Sequence, residues 1–245
     1  AARWTIVLLL VYPMSFYFAS VYTESLYFML AGGALLAMER RQYVISSLFI
    51  ALAGATRLIG TALLLPLILL ARNNRNGKLL FFVTLISTVG LAGYMGYLWY
   101  MTGDPIAFVH VQPFFGANRS GSAVVLLPQV LWRYVKIVVT ATPMSLQYWV
   151  AVIEAASFIG ALFLIGMHWK DKAVRPLSVY SASVILVPSL SGTLSSMPRY
   201  MLAAFPLFIL IAKLHNRWIR WGIVGIFTFG FVICTSLYLA GYFVS

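Results

Sequence analysis

Apolar runs separated by short polar clusters dominate this chain, and the length of each run sets its reading. A helix that crosses the hydrocarbon core needs about 20 residues. On that measure the sequence divides into about nine membrane segments, near 4–20, 25–38, 43–56, 58–71, 79–101, 147–167, 177–191, 201–213 and 221–243. Several are short for a full span. The period-two alternation of a membrane barrel does not run here, so the expected class is all-α, a polytopic transmembrane helix bundle. One transmembrane domain over 1–245 is expected, with a polar-aromatic stretch at 102–146 as an external loop. Inside that stretch Gln129, Arg133, Lys136 and Thr140 recur at spacings of four, three and four and share a helical face. Such a helix either lies in the membrane interface or serves as a surface anchor.

Composition sharpens this picture. Of 245 residues 62% are hydrophobic and 9% charged, and the mean hydropathy is +0.93, too little charge to cover a soluble domain. The net charge of +12 suggests an acidic partner until the basic residues are located. Arg40 and Arg41, then Arg72, Arg75 and Lys78, then Lys170, Lys172 and Arg175, then Lys213, Arg217 and Arg220 each fall between apolar runs. That is the placement of cytoplasmic loop anchors, not of a nucleic-acid surface. An even number of passes must then separate the clusters. The roughly 30 residues between Arg41 and Arg72 are accordingly expected to make two short passes, meeting at Gly54-Ala55-Thr56-Arg57 with Gly60 just beyond. The same orientation puts Tyr17 to Ser25, Arg57, the 102–146 stretch and Ser189 to Tyr200 on the external face, around a shared pocket. Cys234 is the single cysteine, so no disulfide within the chain is expected. No initiator methionine or basic leader precedes Arg3-Trp4, and the chain reads as a piece of a longer protein.

Only five acidic residues are present, so each can be weighed. Glu39 and Asp171 lie beside basic clusters and are expected to pair there. Glu154 falls inside the segment at 147–167; an ionisable group there either faces a functional cavity or bonds a neighbouring helix. Glu24, in Tyr22-Thr23-Glu24-Ser25, is either a helix-start acid favoured by the positive helix end or a site residue. Asp104, in Thr102-Gly103-Asp104-Pro105, reads equally as a turn and N-cap. Arg57 and Arg199 fall on the external side, against the charge rule. A guanidinium there suits a phosphate through paired hydrogen bonds, and backbone amides opening the helix at Arg199 would add donors. The alternative is an arginine that snorkels or pairs with Glu24 or Asp104. The three histidines are scattered, no zinc-spaced His and Cys cluster occurs, and no Gly-rich nucleotide loop is present. Asn118-Arg119-Ser120 is a glycosylation tripeptide on the external side.

The ordered set Tyr12-Pro13-Met14-Ser15-Phe16, Tyr22-Thr23-Glu24-Ser25-Leu26, Ala53-Gly54-Ala55-Thr56-Arg57 with Gly60, Gly103 to Phe108, and Pro198-Arg199-Tyr200 through Phe208 resembles the PIG-V-type mannosyltransferases (GPI mannosyltransferase 2-like). These are multispanning glycosyltransferases of the GT-C class, and the similarity spans roughly residues 12–210. The resemblance implies a GT-C-like fold and transfer of a mannosyl or other hexosyl group from a polyprenyl-phosphate or dolichyl-phosphate sugar. The acceptor would be a lipid-linked sugar or glycan on the external or lumenal face. It places Arg57, Arg199 and Tyr200 at the donor phosphate, Glu24 and Asp104 among the catalytic groups, and Tyr22, Ser25 and Gln112 in substrate positioning. Inversion at the sugar needs one carboxylate base. In GT-C enzymes that base is usually an Asp of the first external loop, which here would precede Ala1, leaving Glu24 and Asp104 in supporting roles. No metal or cofactor is implied beyond the lipid-linked donor as substrate, and a partner subunit in the membrane is compatible with the reading. The rival classes are a lipid or polyprenyl-phosphate transporter or flippase, whose mark would be inverted repeats that are not visible here, and a non-catalytic membrane subunit.

Overall fold

A computed structural model describes residues 2–72, 76–115, 119–120, 124–143 and 145–242. Arg75 of the second basic cluster and Asn118 of the glycosylation tripeptide lie outside the described residues. The first half holds helices α1 (Ala2–Leu10), α2 (Glu24–Glu39), α3 (Tyr43–Thr56), α4 (Leu64–Arg72), α5 (Gly77–Thr102) and α6 (Ala107–His110). The second holds α7 (Leu127–Thr140), α8 (Leu146–His168), α9 (Arg175–Ser189), α10 (Met197–Ala203), α11 (Pro206–Ala212) and α12 (Arg217–Leu239). Short 3-10 turns cover Ser15–Ala19, Leu58–Leu63 and Gln112–Phe115, and the described residues contain no strand. The protein is all-helical. Three stretches, Gly77–Thr102, Gln147–His168 and Arg217–Leu239, are long and apolar enough to cross a membrane. Their outward faces carry large apolar side chains such as Phe81, Ile159 and Phe229.

The chain forms two compact units, one of Thr23–Ala123 and one of Ala1–Tyr22 with Val124–Ser245. In the Thr23–Ala123 unit, α3 packs between α2 and α5. Helix α2 buries Tyr27, Leu30, Ala31, Ala34, Ala37 and Met38, a stripe at helical spacing that mixes alanines with larger apolar residues. Helix α3 answers with Ser46, Ile50, Ala53 and Gly54, and Ser46 Oγ donates to the Ala34 carbonyl at 3.0 Å. On α5 the inward seam is Val83, Ser87 and Gly90, at intervals of four and three. Gly90 lies directly on the backbone of Ala51, where any Cβ would collide. Small residues let two helices approach where lipid supplies no hydrophobic drive to associate.

The break expected near Arg57 is present. Helix α3 ends at Thr56, Arg57 is extended (φ −148°, ψ 133°), and the Leu58–Leu63 turn leads into α4. Gly60 folds back on Ala53 and Gly54 so closely that a side chain has no room.

In the other unit the run at 4–20 is not one helix. Helix α1 stops at Leu10, because Pro13 has no amide to donate and disfavours helical backbone at Tyr12. The Ser15 hydroxyl donates back to the Leu9 carbonyl, which the break would otherwise strand. The run at 201–213 is likewise corrected: α10 begins earlier, at Met197, and the helix breaks at Ala204-Phe205 before Pro206 opens α11. Helix α1 packs on α11 and α12, and α8 meets α7, α9, α10 and α11.

The close α3–α5 contact yields a test. Gly90→Leu should lower stability by about 1–3 kcal/mol through overpacking, read as a drop in the thermal midpoint of the detergent-solubilised protein. Gly93→Ala, whose added Cβ meets nothing within 4 Å, should leave the midpoint in place. Equal midpoints for Gly90→Leu and the parent would remove this account of the seam.

Candidate functional site

The segment that presents Arg199 is held by a buried polar knot. Glu154, one-third of the way along α8, is only 6% exposed. One carboxylate oxygen accepts from the Tyr134 hydroxyl at 2.6 Å and the other from the Ser196 amide at 2.9 Å. The Tyr134 oxygen accepts in turn from the Leu194 amide at 3.0 Å, with the Thr193 hydroxyl 3.2 Å away. Arg133 Nη1 donates to the Gly192 carbonyl at 3.2 Å, and Gly192 sits at φ +96°, where glycine alone is unstrained. Ser196, a non-glycine residue, is held at φ +65°, a left-handed conformation that costs about 1 kcal/mol or more. From the far side, Tyr12 Oη donates to the Pro198 carbonyl at 2.7 Å. Of the two readings open for Glu154, the structure realises the hydrogen bond to neighbouring elements.

These bonds fix where Arg199 points. Its guanidinium carbon lies 4.3 Å from the centre of the Tyr17 ring and 4.8 Å from that of Tyr22. The two rings meet edge to face at 5.1 Å, Tyr17 fully buried and Tyr22 partly exposed. Arg199 and Tyr200 are both half-buried in the first turn of α10. Tyr22 and Arg199, two expected site residues, are therefore in contact. The expected backbone donors are not available. The amides of Ser195 and Ser196 go to Thr193 Oγ1 and Glu154, those of Met197 and Arg199 to the carbonyls of Leu194 and Ser196, and Pro198 has none. Any anion here would be held by side chains.

In the Thr23–Ala123 unit, Glu24 and Arg57 are brought together, 2.5 Å apart, with side chains 5% and 19% exposed. Glu24 opens α2 and Arg57 closes α3, so both helix ends set the pair. Tyr27, one turn along α2, places its ring 5.9 Å from the Arg57 guanidinium carbon. Ser25 is exposed in the same first turn.

Asp104 takes the turn role. One of its oxygens accepts from the Ile106 amide at 3.0 Å; the other lies 2.6 Å from His110 Nδ1, which must donate because a carboxylate can only accept. The His110 bond, with the amide behind it, holds the Asp104 carboxyl below its ordinary range. Gln112 is spent locally: its Nε2 donates to the Phe108 carbonyl at 3.0 Å and its Oε1 accepts from Arg119 at 3.4 Å. Asp171 pairs with Lys213 at 3.0 Å, as expected of an acid beside a basic cluster.

Tyr12, Tyr17, Tyr134 and Thr193 complete the site; Tyr12 opens the Tyr12-Pro13-Met14-Ser15-Phe16 run, and the other three carry no motif of their own. Tyr134 falls four residues after Val130, on the buried face of α7, and that spacing was its only signal. Helix α7 itself lies where the shared face of Gln129, Arg133, Lys136 and Thr140 predicts, with Arg133 turned in to the knot and the others exposed. Among the described residues no group of three or more His, Cys, Asp or Glu could hold a metal ion. Comparison of the chain with protein-family models, curated proteins and solved structures returns no match.

The geometry makes two predictions. Removing one partner of a mostly buried ion pair strands the other, at a cost of about 3 kcal/mol. Glu24→Gln should therefore destabilise the protein more than Glu24→Gln with Arg57→Gln together; thermal unfolding in detergent that ranks the double variant lower refutes the pairing energetics. For Asp104 the folded carboxyl is more acidic than the unfolded one, so its contribution is complete above the ordinary carboxylate value of about 4 and fades as pH falls below it. Exchange of the Ile106 amide, corrected for intrinsic rate, should quicken on acidification in that window, and Asp104→Asn should abolish the acid-dependent part. Protection that stays flat through the window counts against it.

Proposed function

We propose that this chain is a membrane glycosyltransferase of the PIG-V type, with a GT-C-like multi-pass bundle that transfers a mannosyl group from a polyprenyl-phosphate sugar. The observation that carries the reading is Arg199, half-buried against Tyr17 and Tyr22 on a segment pinned by Glu154, Tyr134 and Tyr12. Aromatic faces hold a guanidinium in place, and a cation is worth more to an anion away from bulk water. A sugar phosphate needs a cation for its phosphate and an accessible ring for its C–H surface, and of the two tyrosines Tyr22 is the exposed one. The Thr23–Ala123 unit adds the Glu24–Arg57 pair, a charged group placed at a helix break where apolar helices stop short.

In the reaction the acceptor hydroxyl oxygen attacks the anomeric carbon from the face opposite the phosphate. The bond from that carbon to the phosphate oxygen breaks, the polyprenyl phosphate departs with the electron pair, and the hydroxyl proton passes to a carboxylate base. Arg199, with Tyr200 beside it, stabilises the charge gathering on the leaving phosphate. In the Thr23–Ala123 unit Glu24 is paired with Arg57, and Asp104 shapes its turn through His110 and Ile106. The helix break at Arg57 also favours a second reading, a lipid or polyprenyl-phosphate flippase, since interrupted helices line transport sites as well.

Arg199→Ala in the whole protein should cut transfer from radiolabelled polyprenyl-phosphate mannose about 100-fold, the usual loss for one charge-stabilising donor, with expression unchanged. Undiminished transfer removes Arg199 from the site. Movement of polyprenyl phosphate across proteoliposomes, with no glycosyl product formed, would replace the enzyme by the flippase.

A further inference from the structure

In the Val124–Ser245 unit, with α1 beside it, basic and indole side chains gather around the start of α12. The Lys213 ammonium lies 3.0 Å from the Asp171 carboxylate, which sets the α11–α12 turn beside the α8–α9 turn. Arg220 Nη1 donates to the Ala212 carbonyl at 3.3 Å, tying the start of α12 to the end of α11. The guanidinium carbon of Arg220 also lies 4.8 Å from the Trp4 ring centre, and Trp4 meets Trp221 edge to face at 5.0 Å, which adds α1. Arg217 sits 5.2 Å from the ring centre of Trp218, its neighbour in sequence.

Two features identify the partner. Trp218 and Trp221 are 71% and 56% exposed, a costly display of apolar ring in water but the normal condition at a bilayer surface, where the ring rests on acyl chains and its N–H reaches headgroups. The cluster also stands where two candidate spans end, Gln147–His168 at its last residue and Arg217–Leu239 at its first. Its charge is one-sided. Asp171 is the single acid among Lys170, Lys172, Arg175, Lys213, Arg217 and Arg220, and Lys213 already meets it. An indole-lined surface with excess positive charge fits an anionic headgroup better than a zwitterionic one, whose choline would face the same cations.

We infer that the Trp4, Arg217, Trp218, Arg220 and Trp221 surface is a binding site for the headgroup of an anionic phospholipid. The site is separate from Arg199 and does not depend on the proposed transfer. The full chain, reconstituted in nanodiscs of equal phosphatidylglycerol and phosphatidylcholine and then extracted, should retain phosphatidylglycerol preferentially, as counted by lipid mass spectrometry. Arg217→Gln and Arg220→Gln should each lower that preference about fivefold, the effect expected of one basic residue at an anionic surface. Arg40→Gln with Arg41→Gln, in the other unit, should leave it unchanged. Inorganic phosphate should not displace the lipid, because the indoles need its glycerol and acyl region. No preference in the parent protein overturns the site, whatever the variants do. So does an equal loss in the Arg40 and Arg41 variant, which would make charge alone the cause, or displacement by phosphate.

Discussion

A carboxylate buried in an apolar bundle must be met by donors or lose its charge, and Glu154 is met by two from separate elements. Its acceptance of the Ser196 amide locks a non-glycine residue into a left-handed conformation that the chain would otherwise leave. Tyr134 completes the knot by donating a hydrogen bond to Glu154 and accepting one from the Leu194 amide, so each of these polar groups supports the next. Strain at Ser196 is tolerable only because the surrounding bonds over-determine it. The consequence lies three residues on, where Arg199 enters α10 already directed at Tyr17 and Tyr22.

The two arginines expected at phosphate are housed by different physics. Arg57 meets a carboxylate at 2.5 Å, and that contact cancels most of its long-range field. Arg199 lies against two tyrosine faces, whose quadrupoles attract the cation. Each unit also solves its packing differently. In the Thr23–Ala123 unit helices close up through Gly90 and the small residues of α2, whereas the Val124–Ser245 unit uses short broken helices tied by buried side-chain bonds.

How much of this could be read from the sequence follows from what kind of signal each part leaves. Helices α5, α8 and α12 were legible because a long apolar run with polar ends has one good solution in lipid. The break at Arg57 was legible from charge: clusters at Arg41 and Arg72 left too little chain for an ordinary pair of spans. The stretch 4–20 was misread because Tyr12-Pro13 interrupts a helix without interrupting hydropathy, and the stretch 201–213 because Pro206 does the same. In the site, residue types announced Arg57, Arg199 and Glu24, since charge in an apolar context is conspicuous. The pairing of an arginine with Glu24 was among the expectations, but the aromatic partners Tyr134 and Tyr17 did not announce themselves. Tyr134 and Tyr17 look like any other apolar-face aromatics, and the amides of 195–199 looked available until their acceptors, spread from α8 to the turn itself, were in place.

The Glu24–Arg57 pair bears on function through its energetics. Desolvating two charges costs about as much as their attraction returns, so a buried pair contributes little that apolar residues of the same volume could not. Stability alone therefore does not explain a carboxylate at 5% exposure facing a guanidinium at a helix break. The break itself is satisfied without them: the Arg57 amide still reaches Ala53 at 2.9 Å, the Gly60 amide reaches the Arg57 carbonyl at 2.8 Å, and Gly60 supplies the tight approach. A charged pair kept where an apolar one would serve the fold is compatible with the polar role proposed above for Glu24 and Arg57.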